Sequence, residues 1–157
     1  MILYHASDRE IVKPDTLHSR KRVDFGAGFY TTPLQEQAVS WCRKFYDRRG
    51  QGVLSIYRFQ EEACSGFRVM RFEQYSDAWL DFVLNCRRGS DDSDYDIVAG
   101  GVANDKVFNT VELFFDGLID RREAIKRLRY EKPNLQVCFR SQAAIDRWLR
   151  FEGSERI

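Results

Sequence analysis

Histidine, methionine, proline and cysteine are scarce in this chain, at two, two, three and four of 157 residues. Each scarcity excludes something. Cys42, Cys64, Cys86 and Cys138 show no CxxC spacing, and neither His5 nor His18 lies near enough in sequence to complete a zinc pattern, so no metal site is expected. Cys42, Cys86 and Cys138 fall in apolar patterns, where a free thiol acts as a small hydrophobe, and all four cysteines read as reduced. Long apolar runs are missing and the mean hydropathy is -0.51, which excludes a spanning helix and leaves no membrane partner to expect. The opening MILYHASDRE has no basic lead, apolar core or small-residue cleavage site, and so reads as no signal peptide. The expected location is cytoplasmic. A charge excess is absent too: 25 Lys and Arg against 24 Asp and Glu leave a net charge of +1. So even a balance gives no global field toward nucleic acid or an anionic membrane, and any such contact must come from a local patch.

Hydrophobic residues are plentiful, at 43%, enough to bury a core without disulfides or metals. Repeats, low-complexity tracts and Pro/Gly/Ser-rich linkers do not interrupt the sequence, and its length suits a single domain over residues 1–157.

Local pattern divides the chain into short strands and helices. ILYHA (2–6) reads as a buried strand, 8–24 as a polar and basic loop, and GFYTT (28–32) as a β-prone run. Thr32 then suits an N-cap, Pro33 the first helical position, and Gln35 a capping box closing on Thr32. Leu34, Ala38, Trp41, Cys42 and Phe45 recur at helical spacing until Gly50, and read as core. Strands are expected at 52–59, 67–72, 95–101 and 135–139, with an acidic loop at 89–94. Ser76, Asp120 and Ser141 mark the starts of further helices, and another is expected near 105–116, where Asn104 or Asp105 could cap it. Strands and helices alternate without a βαβ rhythm, so the fold class is α+β.

Three segments carry candidate chemistry. LYHAS places His5 in the first strand; DFGAGFYTT delivers Tyr30 from a glycine turn into a strand; NLQVCFRS places Gln136 in a late strand. Taken singly, each has an ordinary reading: a core histidine, a sheet tyrosine, an exposed strand glutamine. In this order they resemble the His, Tyr and Glu-or-Gln segments of the diphtheria-toxin and poly(ADP-ribose) polymerase branch of ADP-ribosyltransferases. With the Trp41 helix and YDIVAGGVAND they also resemble a bacterial family of unknown function, grouped with those transferases and often encoded beside a small antitoxin-like protein. The likeness runs from about residue 2 to about residue 150.

That resemblance implies two split, mainly antiparallel sheets around an NAD⁺ cleft, with helices outside. It implies mono-ADP-ribosylation of an unknown macromolecule, protein or nucleic acid, by the toxin of a toxin–antitoxin pair. NAD⁺ cleavage passes through an oxocarbenium-like state, as in glycoside hydrolysis. His5 would then bind the ribose, with Ala6 and Ser7 beside it gripping the nicotinamide carboxamide. Tyr30, flanked by Gly28 and Phe29, would stack on the nicotinamide. Gln136 would hold the ribose 2′-hydroxyl; Arg20, Lys21 and Arg22 read either as a solvated basic loop or as a loop that reaches the pyrophosphate. The implied catalytic set is His5, Tyr30 and Gln136. Two departures are visible: Ala6 stands where the family-like residue is glycine, and Gln136 is neutral where the best-known transferases carry Glu. An amide supplies no full negative charge to the transition state, so another acid, such as Asp105 or Glu112, is a candidate. NAD⁺ hydrolysis, or an inactive nucleotide- or partner-binding scaffold, are the rival expectations.

Overall fold

The computed structural model describes residues 1–157 apart from 62–64, 104, 130, 132–133 and the side chain of Asp105. Cys64, Asn104 and the Asp105 carboxylate thus lie outside the described residues. Along the chain run β1 (Ile2–Ser7), β2 (Phe29–Thr31), α1 (Gln35–Arg49), β3 (Val53–Phe59), β4 (Val69–Arg71) and α2 (Asp77–Arg88). They are followed by β5 (Ile97–Val102), α3 (Asp105–Phe115), α4 (Arg121–Leu128), β6 (Asn134–Phe139), α5 (Gln142–Trp148) and β7 (Leu149–Arg156). The class is α+β.

Side chains at the expected positions start three of the helices. Ser76 accepts the Trp79 N–H at 3.2 Å, Asp120 accepts the Glu123 N–H at 2.8 Å and Ser141 accepts the Ala144 N–H at 3.2 Å. Each satisfies a backbone donor that the first helical turn leaves unpaired. The start of α1 differs from the expectation. Its N-cap is Leu34, with no side-chain bond, and Thr32 and Pro33 precede the helix. Thr32 is instead held in sheet geometry by a bridge to Tyr4, while its hydroxyl accepts the Leu34 N–H at 3.1 Å. Strand pairing holds the backbone of Thr32 outside the helix, so its hydroxyl serves the turn and the helix begins three residues later.

Among the described residues the strands form two sheets, β1-β3-β7 and β2-β6-β5-β4. Every pairing is antiparallel except that of β4 with β5. Strand alternation divides the core between the faces. Leu3, Tyr57 and Phe59 of the first sheet meet Phe29, Ile97, Val137 and Phe139 of the second, with Ala144 and Ile145 of α5. Ala6 and Leu54 pack beneath Ala38 and Cys42 of α1. On the other face of the second sheet, Val98 and Cys138 pack with Trp79, Leu80 and Val83 of α2, Val107 and Val111 of α3, and Leu128 of α4. Strand β7 has no counterpart in the sequence expectations. It continues directly from α5, pairs along the whole of β3 and makes Leu149 part of the core between the sheets.

Buried free thiols occupy the interior, at Cys42, Cys86 and Cys138. Burial raises the Cys86 and Cys138 thiols to about 12, so these are packing groups and not nucleophiles. Cys138 also sets the shape of the segment before β2. A methyl group at Gly28 would stand 2.5 Å from the Cys138 sulfur and 2.6 Å from the Phe139 carbonyl oxygen. Gly28→Ala is therefore expected to push β2 off β6 and to destabilise the fold by roughly 1–3 kcal/mol, read as a lower urea midpoint.

Candidate functional site

Strands β1 and β2 lie at edges of their sheets, and the two edges are tied together. Tyr4 and Thr32 exchange both backbone hydrogen bonds, each 2.9 Å long. One residue further along β1, the His5 Nδ1–H donates to the Tyr30 carbonyl at 2.7 Å. Beside this seam opens a cavity of about 1130 Å³. Its walls come from β1, the loop between β1 and β2, β2, α1, α2, the segment leading into α3, α3 itself and β6.

The bond from His5 fixes its chemistry. A carbonyl can only accept, so Nδ1 carries the proton and the neutral ring keeps its lone pair on Nε2. Burial holds the imidazole below its ordinary value of 6.5, more strongly than the Tyr30 carbonyl raises it. The ring stacks on Phe29, with centroids 4.4 Å apart, which fixes its plane. A neutral, oriented imidazole in a cavity wall offers one hydrogen-bond acceptor.

Tyr30 leaves β2 from the other face, opposite Cys138 of β6. Its hydroxyl donates to the Gly26 carbonyl at 2.6 Å and accepts the Phe25 N–H at 3.0 Å. The phenol thus closes the glycine turn on itself, and burial raises its pKa far above the usual range. A hydroxyl engaged in this way leaves the ring as the part of Tyr30 available to a ligand. Gly26 adopts φ 75°, a left-handed conformation open to glycine at little cost.

Gln136 lines the same cavity and is 5% exposed, which excludes the surface-strand reading. Its Nε2 donates to the Gly101 carbonyl at 3.4 Å, across the β5–β6 pairing. Ala6, Ser7, Gly28, Phe29, Arg20 and Arg22 also line the cavity, whereas Lys21, expected beside the two arginines, does not. Two roles change. The methyl of Ala6 lies in the cluster with Ala38 and Cys42, so it packs on α1. Gly28 is required for the approach of β2 to β6, as its backbone position shows.

Several wall residues were not legible from sequence. Trp41 and Phe45, expected as core, are half-buried and line the cavity as well as packing on α1's own cluster. Arg87, at the end of α2, donates Nε and Nη2 to one oxygen of Asp24 at 3.1 and 2.7 Å, and Nη1 to Glu112. Its guanidinium also lies over the Phe108 ring, 5.0 Å from the centroid. Asp24 belongs to the glycine segment and Glu112 to α3, so one arginine joins three distant stretches of sequence. Basic side chains on a helix end usually mean helix-dipole pairing, and nothing in the local pattern of α2 marks Arg87 as different from Arg88. Lys13, Arg20 and Arg22 also line the cavity, and have no carboxylate partner among the described residues. Groups of three His, Cys, Asp or Glu able to hold a metal ion do not occur among the described residues.

A family model described as protein of unknown function (DUF3990) matches residues 1–151. The chain belongs to that family. The match takes in every element that lines the cavity, from β1 through β6, and ends at the start of β7. DUF3990 carries no functional assignment in its description, and no curated protein and no solved structure matches the chain. Among the described residues, no helix is long and apolar enough to cross a membrane.

The depressed pKa of His5 has a signed consequence for stability. Between its folded value and 6.5, the unfolded chain binds more protons than the native one, so stability falls as pH falls through that window. Asp8 and Asp15 are held below 3.8 by Arg9 and by His18 respectively, and their contribution is lost only at more acid pH. His5→Asn keeps a donor near the Nδ1 position and removes the titration. It is expected to flatten the decline of the urea midpoint as pH falls below about 6.5, a comparison of two denaturation series.

Proposed function

We propose that this protein binds NAD⁺ in the cavity beside the β1–β2 seam and transfers its ADP-ribose to a macromolecule, releasing nicotinamide. The observation that carries the reading is convergence. His5, Tyr30 and Gln136, which follow one another in sequence as the transferase-like motifs do, come from three strands in two sheets and line one cavity. The mainly antiparallel pair of sheets flanking the cavity is consistent with a transferase-like fold. The volume, about 1130 Å³, exceeds the roughly 300–1,000 Å³ of pockets for drug-sized ligands and suits a folded dinucleotide.

Each group has a part its geometry suits. His5 Nε2 accepts a hydrogen bond from a ribose hydroxyl, held in plane by Phe29. The Tyr30 ring offers a flat face to the nicotinamide, its hydroxyl already committed to the turn. Arg20 and Arg22, without carboxylate partners among the described residues, meet the pyrophosphate charge. Gln136 holds the ribose 2′-hydroxyl through its amide. Nicotinamide is a good leaving group, so orientation and stabilisation of positive charge at the ribose are the main tasks. The neutral Gln136, already donating to Gly101, is the feature that favours a second reading, an NAD⁺-binding scaffold without turnover. The resemblance to antitoxin-associated proteins supports a role as the toxin of such a pair, with a small protein as partner.

Calorimetry with NAD⁺ and single-turnover nicotinamide release test this reading, with mass spectrometry for an ADP-ribosylated acceptor. Gln136→Ala is expected to bind NAD⁺ and to release nicotinamide about 10²–10³-fold more slowly, while Gln136→Glu keeps or raises the rate. Release by the alanine variant at the wild-type rate removes Gln136 from the mechanism. Nicotinamide without any modified macromolecule indicates a glycohydrolase, and binding without release indicates the scaffold. Expression of the wild-type chain in bacteria is expected to slow growth, and Gln136→Ala at equal soluble level to relieve it. Equal growth of the two strains sinks the toxin role.

A further inference from the structure

Transfer to a neutral acceptor releases a proton, and neither His5 nor Gln136 is suited to take it. Gln136 is an amide, and burial makes His5 reluctant to become charged. Four carboxylates line the cavity: Asp8, Asp15, Asp24 and Glu112. Three of them are spent on other partners. Asp8 accepts from Arg9 Nε at 3.0 Å and Arg49 Nη1 at 2.6 Å, one bond to each oxygen. Both oxygens of Asp15 meet His18 Nδ1, at 2.9 Å, and one also accepts the Leu17 and His18 N–H groups. Asp24 takes Arg87 on one oxygen and the Ala103 N–H, at 3.4 Å, on the other.

Glu112 differs. Arg87 holds its Oε1, while Oε2 has no hydrogen bond among the described residues, and the side chain is 42% exposed. It sits in a stripe on α3, with Phe108 four residues before and Phe115 three residues after, and all three face the cavity. The rings are backed by arginines, Arg87 at 5.0 Å from the Phe108 centroid and Arg88 at 5.4 Å from that of Phe115. A chain of contacts links this stripe to Gln136. Gln136 bonds Gly101, Val102 and Ala103 continue the cavity wall, Ala103 bonds Asp24, and Asp24 and Glu112 share Arg87.

We propose that the α3 face is the acceptor side of the cavity and that Glu112 is the general base of the transfer. The assignment rests on the NAD⁺ reading given above. The bond between nicotinamide and ribose C1′ breaks, with its electron pair leaving on nicotinamide. A lone pair of the acceptor oxygen or nitrogen forms the new bond to C1′. The acceptor's proton passes to Glu112 Oε2 and from there to water. Arg87 fixes the carboxylate through Oε1 and leaves the second oxygen free for this step.

Calorimetry and single-turnover nicotinamide release from wild type, Glu112→Gln and Glu112→Ala, with water as acceptor and with or without sodium azide, test this. Azide is an anionic nucleophile with no proton to lose. Both variants are expected to bind NAD⁺ as the wild type does and to release nicotinamide about 10²–10⁴-fold more slowly. Azide restores their release and yields ADP-ribosyl azide, detected by mass. Glu112→Gln retains an oxygen for Arg87, so it decides the matter if the alanine variant does not fold. Wild-type rates in Glu112→Gln, or a slow variant that azide does not rescue, overturn the assignment of Glu112. A wild type that fails to bind NAD⁺, or binds it without release, overturns the NAD⁺ reading itself and this assignment with it.

Discussion

The site depends on a seam two residues wide. Tyr4 and Thr32 join the two sheets through a reciprocal pair of backbone hydrogen bonds, and His5 adds a third from its side chain to the Tyr30 carbonyl. Without that seam, β1 and β2 would be two independent edges, each with unpaired backbone groups open to other strands. With it, the sheets meet along one side, and the space beside the junction becomes a cavity with walls from both. The seam explains why the His5 proton sits on Nδ1, and why Thr32 belongs to a sheet and not to a helix. It also explains why a histidine at the very start of the chain and a tyrosine 25 positions later share one surface.

Cooperation between backbone and side chain recurs around this junction. The Tyr30 phenol closes the turn that presents Tyr30, Gly28 gives up a side chain so that β2 can reach β6, and Phe29 braces the His5 ring from the inner face. These contacts pre-set the aromatic and imidazole groups before any ligand arrives, which limits the ordering cost of binding. Across the cavity, Arg87 does the same by electrostatics. It is 12% exposed and shared by two carboxylates, so the three charges leave one net negative charge in the wall. That charge and the neutral Gln136 belong to the wall of one cavity.

Much of this was legible from the residues. Helix starts at Ser76, Asp120 and Ser141 followed from capping chemistry, which is local and acts within one turn. The strands carrying His5, Tyr30 and Gln136 followed from alternation and composition, and those three residues do line one cavity. Failures lie where the deciding partner is distant in sequence. Thr32 has every local mark of an N-cap, and a bridge to Tyr4 overrides it. The charged run of β7 gave no strand signal because Arg150, Glu152, Glu155 and Arg156 lie along an edge, and only its pairing with β3 makes it a strand. Arg87 looked like an ordinary helix-end charge, since its partners Asp24 and Glu112 both lie outside its own helix.

One consequence of these anchored strands concerns how such a protein can change over evolutionary time. Between β1 and β2, Ile11 is bonded to Ser55 and Tyr57 and Phe25 is buried in the core, so residues 12–22 form a loop whose ends are held independently of its interior. Closure entropy grows slowly with loop length, by about 0.6 kcal/mol for each doubling. Insertions or deletions there would therefore cost the fold little, while they would redraw the wall that carries Lys13, Arg20 and Arg22. Selection could retune which ligand the cavity accepts, and how tightly, within a single loop and without disturbing either sheet.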